Sequence, residues 1–224
     1  MNGRVQIVTD YAARRMMMVD TQVRPSDVTK FPIIDAMLDV PREAFVPDTL
    51  REVAYVGETL TLPSGRVLLE PRTLAKMLDA LMIEPNDIVL DLACGLGYST
   101  AVLAHMAEFV VAVEDDTALA EEAQTVLSEL GVDNAAVMSG SLTDGAPKSG
   151  PYDIITIQGA VEEVPQSLLD QLKDGGRIGA IFAEGALGVV RIGLKVDGQV
   201  MWRYSFNAGA PVLDGFARKE AFAL

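Results

Sequence analysis

Residues 89–97 read Val-Leu-Asp-Leu-Ala-Cys-Gly-Leu-Gly, and Glu114 closes the next apolar run, Phe109 to Val113, nineteen positions beyond Gly95. Gly95 and Gly97 carry no Cβ, so backbone there can approach a ligand closely. The helix that follows turns its first N–H groups toward the same place. A carboxylate at the end of the second strand, about twenty residues past the turn, is placed to accept hydrogen bonds from ribose hydroxyls. These residues suit a nucleoside-bearing cofactor.

The kind of nucleoside follows from finer detail. The dinucleotide fingerprint asks for glycine or alanine at its third position, and Thr100 stands there. Asp91, shortly before the turn, suits a ligand with a positive end, such as an amino group or a sulfonium. That favours S-adenosyl-L-methionine over NAD. Ala93 and Cys94 share the turn and join the candidate cofactor contacts, as does Asp115 beside Glu114. Asp115 or Asp116 also suits the N-cap of the next helix. Tyr152 to Ala160 reads as a buried strand whose polar end, Gln158-Gly159, falls where ligands of open parallel sheets sit. Cys94 is not read as a nucleophile, because a small residue in a glycine turn needs no further role. The single histidine, His105, reads as a surface or packing residue. One cysteine and one histidine leave no Cys- or His-clustered metal site and no intrachain disulfide. No catalytic residue is named by the sequence.

These residues need a framework. Apolar strand segments fall at 87–92, 109–114, 134–138, 152–157, 177–182 and 188–195, and helical spacing at 97–107, 116–130 and 165–173. Alternation of this kind implies a parallel sheet with helices on both faces. Lys173-Asp-Gly-Gly176 predicts a glycine C-cap to the third helix. Val200 to Phe206 and Phe216 to Phe222 read as late, antiparallel strands. Upstream, residues 9 to 55 carry helical spacing cut into short pieces by Pro25, Pro32, Pro41 and Pro47. Residues 58 to 70 turn extended around Pro63-Ser-Gly-Arg66, and Pro71 opens an amphipathic helix through Met82. The expected organisation is a helical segment and loop over 1–84, packed on a cofactor-binding domain over 85–224.

The chain has 224 residues, 50% of them hydrophobic and 22% charged, as expected of a soluble globular protein. Its net charge of −14 disfavours nucleic acid and anionic lipid as partners. No apolar stretch reaches membrane-span length, and Met1-Asn-Gly-Arg opens no signal core. A cytoplasmic enzyme is the expectation.

Several segments together resemble the protein-L-isoaspartate O-methyltransferases, class I methyltransferases that use S-adenosyl-L-methionine. Val40-Pro-Arg-Glu-Ala-Phe-Val-Pro47 and Leu50-Arg-Glu-Val-Ala-Tyr55 look like the segment before that family's active-site loop. Val89 to Ala104 is similar to its first cofactor motif, and Val113-Glu114 to its ribose-binding acid. Pro151-Tyr-Asp-Ile-Ile and Leu172-Lys-Asp-Gly-Gly-Arg177 are similar to later motifs. The resemblance implies a Rossmann-like fold with a mainly parallel seven-stranded sheet and antiparallel C-terminal strands.

Departures from the family pattern bear on the acceptor. The family's active-site loop reads Gly-Gln-Thr-Ile-Ser-x-Pro, and here Gly65-Arg-Val-Leu-Leu-Glu-Pro71 stands in its place. Val67 and Leu69 replace the threonine and serine hydroxyls that sit by the substrate carboxylate. A site that loses such partners loses its discrimination for the group they bound. Gly140-Ser141-Leu142 replaces Gly-Asp-Gly, so Ser141 and Leu142 are expected against the adenine, the hydroxyl bonding more weakly than a carboxylate. Ala93 replaces a glycine, read as a mild change. Arg66 and Arg72 are candidates for an anionic acceptor, or plain surface charges. The expected activity is methyl transfer from S-adenosyl-L-methionine to an acceptor, peptide or small molecule, that the sequence does not name, with isoaspartyl methylation weakened. The alternatives are a non-catalytic S-adenosyl-L-methionine-binding protein acting through partners and, with less support, an NAD-dependent oxidoreductase.

Overall fold

The computed structural model describes residues 10–185 and 187–218. The prolines cut the N-terminal segment as the sequence implies. Helix α1 (Tyr11–Met18) runs into a π-turn and a 3₁₀ turn, then comes α2 (Phe31–Asp39) with Pro32 in its first turn. Two further 3₁₀ turns, Arg42–Phe45 and Asp48–Val53, lead to a small antiparallel hairpin, β1 (Leu60–Thr61) and β2 (Val67–Leu68). Helix α3 (Pro71–Leu81) follows.

The second half alternates. It contains β3 (Ile88–Leu92), α4 (Tyr98–Ala104), β4 (Phe109–Glu114), α5 (Thr117–Glu129), β5 (Ala135–Ser139) and β6 (Tyr152–Val161). It ends with α6 (Gln166–Leu169), β7 (Leu172–Glu184), β8 (Leu187–Val196) and β9 (Gln199–Asn207). The seven long strands form one sheet in the order β5-β4-β3-β6-β7-β8-β9. Pairing is parallel from β5 to β7 and antiparallel for β7–β8 and β8–β9. Central strands buried on both faces need continuous apolar side chains, and Val-Leu-Asp-Leu in β3 and Phe-Val-Val-Ala-Val in β4 supply them, Asp91 excepted. One apolar cluster joins Met18, Met37, Phe45, Leu74 and Leu78 of the N-terminal segment to Val89, Val110 and Ile154 of the sheet.

Two expectations change. The helix expected over 165–173 is a single turn, because Leu172 already pairs with Tyr152 in the sheet. Lys195 of β8 donates to the carbonyls of Leu169 and Leu172, both at 2.8 Å, satisfying groups a longer helix would have used itself. The strand expected over 216–222 is not formed by residues 216–218, and the remainder lies outside the described residues. Phe216 is instead packed inside the fold, while Ala160 and Leu213 exchange backbone hydrogen bonds with the tail and strand end.

Helix α3 ends on Met82 with φ +50°, a left-handed conformation that disfavours a Cβ. Met82 is 55% exposed, so little packing is at stake. Met82→Gly should raise stability by about 0.5–1 kcal/mol, after allowing for glycine's greater unfolded-state entropy. Thermal unfolding should show it as a rise of roughly 1–4 °C.

Candidate active site

Strand order decides where a ligand can sit. From β3 the chain moves to one side through β4 and β5, then crosses to the other side for β6. The crevice beyond the carboxyl ends of β3 and β6 is therefore the point where the order reverses, the usual ligand position in such sheets. The turn after β3, Glu114 at the end of β4, Gly140-Ser141-Leu142 after β5 and Gln158 on β6 converge there.

The turn itself is left-handed at three positions: φ is +59° at Ala93, +57° at Gly95 and +96° at Gly97. Gly95 and Gly97 adopt this without strain. Ala93 does not, so the replacement of a family glycine costs about 1–2 kcal/mol of backbone strain and is not the mild change its size suggested. Ala93 is held there by its N–H, which donates to the Val113 carbonyl at 2.9 Å.

Asp91 is 0% exposed. Thr156 Oγ1 and Gln158 Nε2 donate to its Oδ1 at 2.8 Å each, and Ser99 Oγ and Thr100 Oγ1 donate to its Oδ2 at 2.6 and 2.8 Å. Burial pushes this carboxyl's pKa up, and the four donors pull against it. Asp91 thus ties the first turn of α4 to β6, and the Gln158 side chain is committed to it. Thr156 and Ser99, unremarked in the sequence, complete the cluster. A polar residue at alternate positions of an otherwise apolar strand, as in Thr156-Ile-Gln158, is the signal that marks Thr156; Ser99, in the first turn of α4, carries no such signal. Cys94 is buried, and burial followed by the charges of Asp91 and Glu114 holds its thiol well above the ordinary range, which leaves it unreactive.

Glu114 is likewise 0% exposed. Gly95 N–H donates to its Oε2 at 2.9 Å, and the N–H groups of Asp115 and Asp116 donate to its Oε1 at 3.0 and 3.2 Å. Asp116 is the N-cap of α5, accepting from Ala118 and Leu119, so its role is structural as the sequence suggested. The remaining contact comes from across the chain. Arg66 Nε lies 2.8 Å from Glu114 Oε1 and 3.1 Å from Oε2, and its Nη2 donates to Asp115. Ser64 Oγ donates to Asp116. The whole acid triplet thus grips the turn of the β1–β2 hairpin. A Cβ placed on Gly95 would come within 3.1 Å of Leu62 Cδ1 and 3.7 Å of Arg66 Cβ, so the hairpin lies directly on the glycine turn.

Arg66 is 4% exposed and engaged, so it is neither a surface charge nor a free anion receptor. Arg72 is exposed and pairs with Glu70. Val67 and Leu69 are buried among apolar neighbours. Arg42 anchors the end of this loop: its Nε and Nη2 donate to the carbonyls of Ala54 and Leu69, both at 2.7 Å, and its guanidinium lies over the Tyr98 ring. On the other side, Ser141 is exposed, Leu142 is buried, and Leu213 of the tail packs on Gly159, where a Cβ would meet it at 2.6 Å. His105 is partly exposed and contacts Asp35 at 3.1 Å. Among the described residues no three His, Cys, Asp or Glu side chains are grouped to hold a metal ion, and no helix is long and apolar enough to cross a membrane.

Comparison with known proteins bears on this arrangement. The profile of the protein-L-isoaspartate(D-aspartate) O-methyltransferases matches residues 14–199. A protein-L-isoaspartate O-methyltransferase of Herpetosiphon aurantiacus is 38% identical over 165 residues, covering 74% of each chain. Another, from Roseiflexus, is 35% identical over 192 residues, covering 86% of this chain and 87% of its own. Among solved structures, a protein-L-isoaspartate O-methyltransferase superposes with a TM-score of 0.81 at 24% identity, over 90% of this chain and 66% of that one. A Plasmodium falciparum protein assigned to the same type, in complex with S-adenosyl-L-homocysteine, superposes with a TM-score of 0.77 at 18% identity, over 92% and 99%.

Proposed function

The chain belongs to the protein-L-isoaspartate(D-aspartate) O-methyltransferase family, whose members use S-adenosyl-L-methionine, and from that membership we propose that it methylates an acceptor other than an isoaspartyl carboxylate. The observation that carries the proposal is the burial of Val67 and Leu69, at 5% and 2% exposure, where the family loop has hydroxyls.

The residues present fit the cofactor. Gly95 and Gly97 hold the left-handed turn that lets backbone approach it, and Glu114 ends β4 beside that turn. Ser141 and Leu142 would stand at the adenine, one exposed for a hydrogen bond and one apolar. Asp91, through Ser99, Thr100, Thr156 and Gln158, would fix the shape of the pocket floor. When bound, the cofactor supplies a methyl group made electrophilic by its sulfonium. What remains for the protein is orientation and exclusion of water, and these survive the loss of single side chains better than acid–base chemistry does. Leu213 and Phe216 cover the end of β6 and keep water from that side.

An isoaspartyl carboxylate must leave water to be methylated, and donors must replace that water. Val67 and Leu69 offer none. Each missing polar partner costs about 1–3 kcal/mol, so turnover should be slower by roughly two to four orders of magnitude than in a relative with both hydroxyls. Transfer of labelled methyl groups from S-adenosyl-L-methionine to an isoaspartyl peptide measures this. Turnover matching such a relative would overturn the reading. Val67→Thr with Leu69→Ser should recover part of the rate, measured per folded molecule because both hydroxyls would enter an apolar cluster.

A further inference from the structure

The contact that the cofactor reading does not explain is the one between Arg66 and the acid meant for the ribose. A ribose offers that acid two adjacent O–H donors. Arg66 offers the acid pair two adjacent N–H donors, from Nε to Glu114 and from Nη2 to Asp115. With Gly95, Asp115 and Asp116 also donating, Glu114 has no acceptor site left for a hydroxyl. The space above the turn is taken too, since Leu62 and Arg66 rest on Gly95. Every residue from Asp91 to Thr100 is buried; Leu62 and Arg66 of the hairpin lie over Gly95, and Ala123 and Leu127 of α5 over Gly97.

We propose that Arg66 is an intramolecular competitor for the ribose position, so that cofactor binds only when the β1–β2 hairpin has left the glycine turn. The proposal rests on the cofactor reading above and adds to it a closed state. Three features make the closed state a discrete one. Arg66 is clamped by two carboxylates, Ser64 donates to a third, and the hairpin closes on itself through Leu62 N–H to the Arg66 carbonyl at 2.8 Å. The tip of the hairpin is a tight turn, with φ of +54° at Ser64 and +70° at Gly65 and the Arg66 N–H donating to the Pro63 carbonyl at 3.1 Å. A ligand that binds only the open state has its apparent affinity reduced by the open fraction.

The test is titration of wild type, Arg66→Gln and Ser64→Ala with S-adenosyl-L-homocysteine by calorimetry, with folding checked by circular dichroism. Glu114 keeps three N–H donors without Arg66, so Arg66→Gln retains a satisfied acid. Its dissociation constant should fall about ten- to a hundredfold, and that of Ser64→Ala by a smaller factor. Hydrogen exchange supplies a readout independent of affinity: in wild type, ligand should speed exchange at the Leu62 and Arg66 amides. Equal affinities in wild type and both variants overturn the competitor and leave the cofactor reading standing. Slower exchange at those amides on ligand addition also overturns it, since the hairpin would then be closing over the ligand. No binding by any of the three up to millimolar ligand overturns the cofactor reading and the competitor together.

Discussion

Asp91→Ala should lower the free energy of unfolding by about 3–5 kcal/mol, a large share of what a domain of this size possesses. The side chain makes no apolar contribution that would account for such a loss. Its worth lies in four donors that have no water to turn to: Ser99, Thr100, Thr156 and Gln158 all face Asp91 inside the sheet end. Removing the acceptor leaves each to find a poorer partner or none, and an unmet buried donor costs about 1–3 kcal/mol. Hydroxyl rotation recovers some of this, which keeps the total below the sum. Asp91→Asn should lose about half as much, since one oxygen remains and the hydroxyls can turn to accept. Urea unfolding followed by circular dichroism measures both. An alanine variant within 1 kcal/mol of wild type would show that the cluster rearranges freely.

Glu114→Ala should cost about 3–5 kcal/mol, and Arg66→Ala markedly less. Both remove the same ion pair, yet they strand different groups. Without Glu114, a guanidinium only 4% exposed keeps Asp115 and a long contact of 3.4 Å to the Ser64 carbonyl, and the N–H groups of Gly95, Asp115 and Asp116 lose their acceptor. Without Arg66, Glu114 keeps three N–H donors, and the space left by the guanidinium admits water. The double variant should therefore be no less stable than Glu114→Ala alone, because the stranded cation is gone. Equal losses in the two single variants would mean that the backbone donors contribute nothing.

The parts of this molecule that could be read from sequence are those set by local chemistry. The six apolar strand segments, the glycine turn and the Asp116 cap each follow from neighbours within a few residues. The last two strands were partly legible: Asp197-Gly198 is a two-residue turn with φ of +50° and +77°, and that dipeptide is a strong hairpin signal. The third helix misled because its spacing is helical while Tyr152 and Lys195 claim its far end from elsewhere in the chain. Arg66 was harder still. A basic residue in an extended loop says nothing of an acid 48 positions later, although three consecutive acids in a chain of net charge −14 do ask for a cation. Of Ala93, its side chain is visible in the sequence and its φ is not.

The span of the Asp91 cluster sets an order of events at the ribosome. Two of its donors, Ser99 and Thr100, emerge within nine residues of Asp91, but the other two, Thr156 and Gln158, come 65 and 67 residues later. Until then β3 has β4 beside it on one edge and nothing on the other, with a half-satisfied carboxylate at its tip. A nascent chain stalled before residue 158 should thus present the unpaired edge of β3 to chaperones, whereas one stalled once β6 has emerged should present the edge of β6 instead, until β7 arrives.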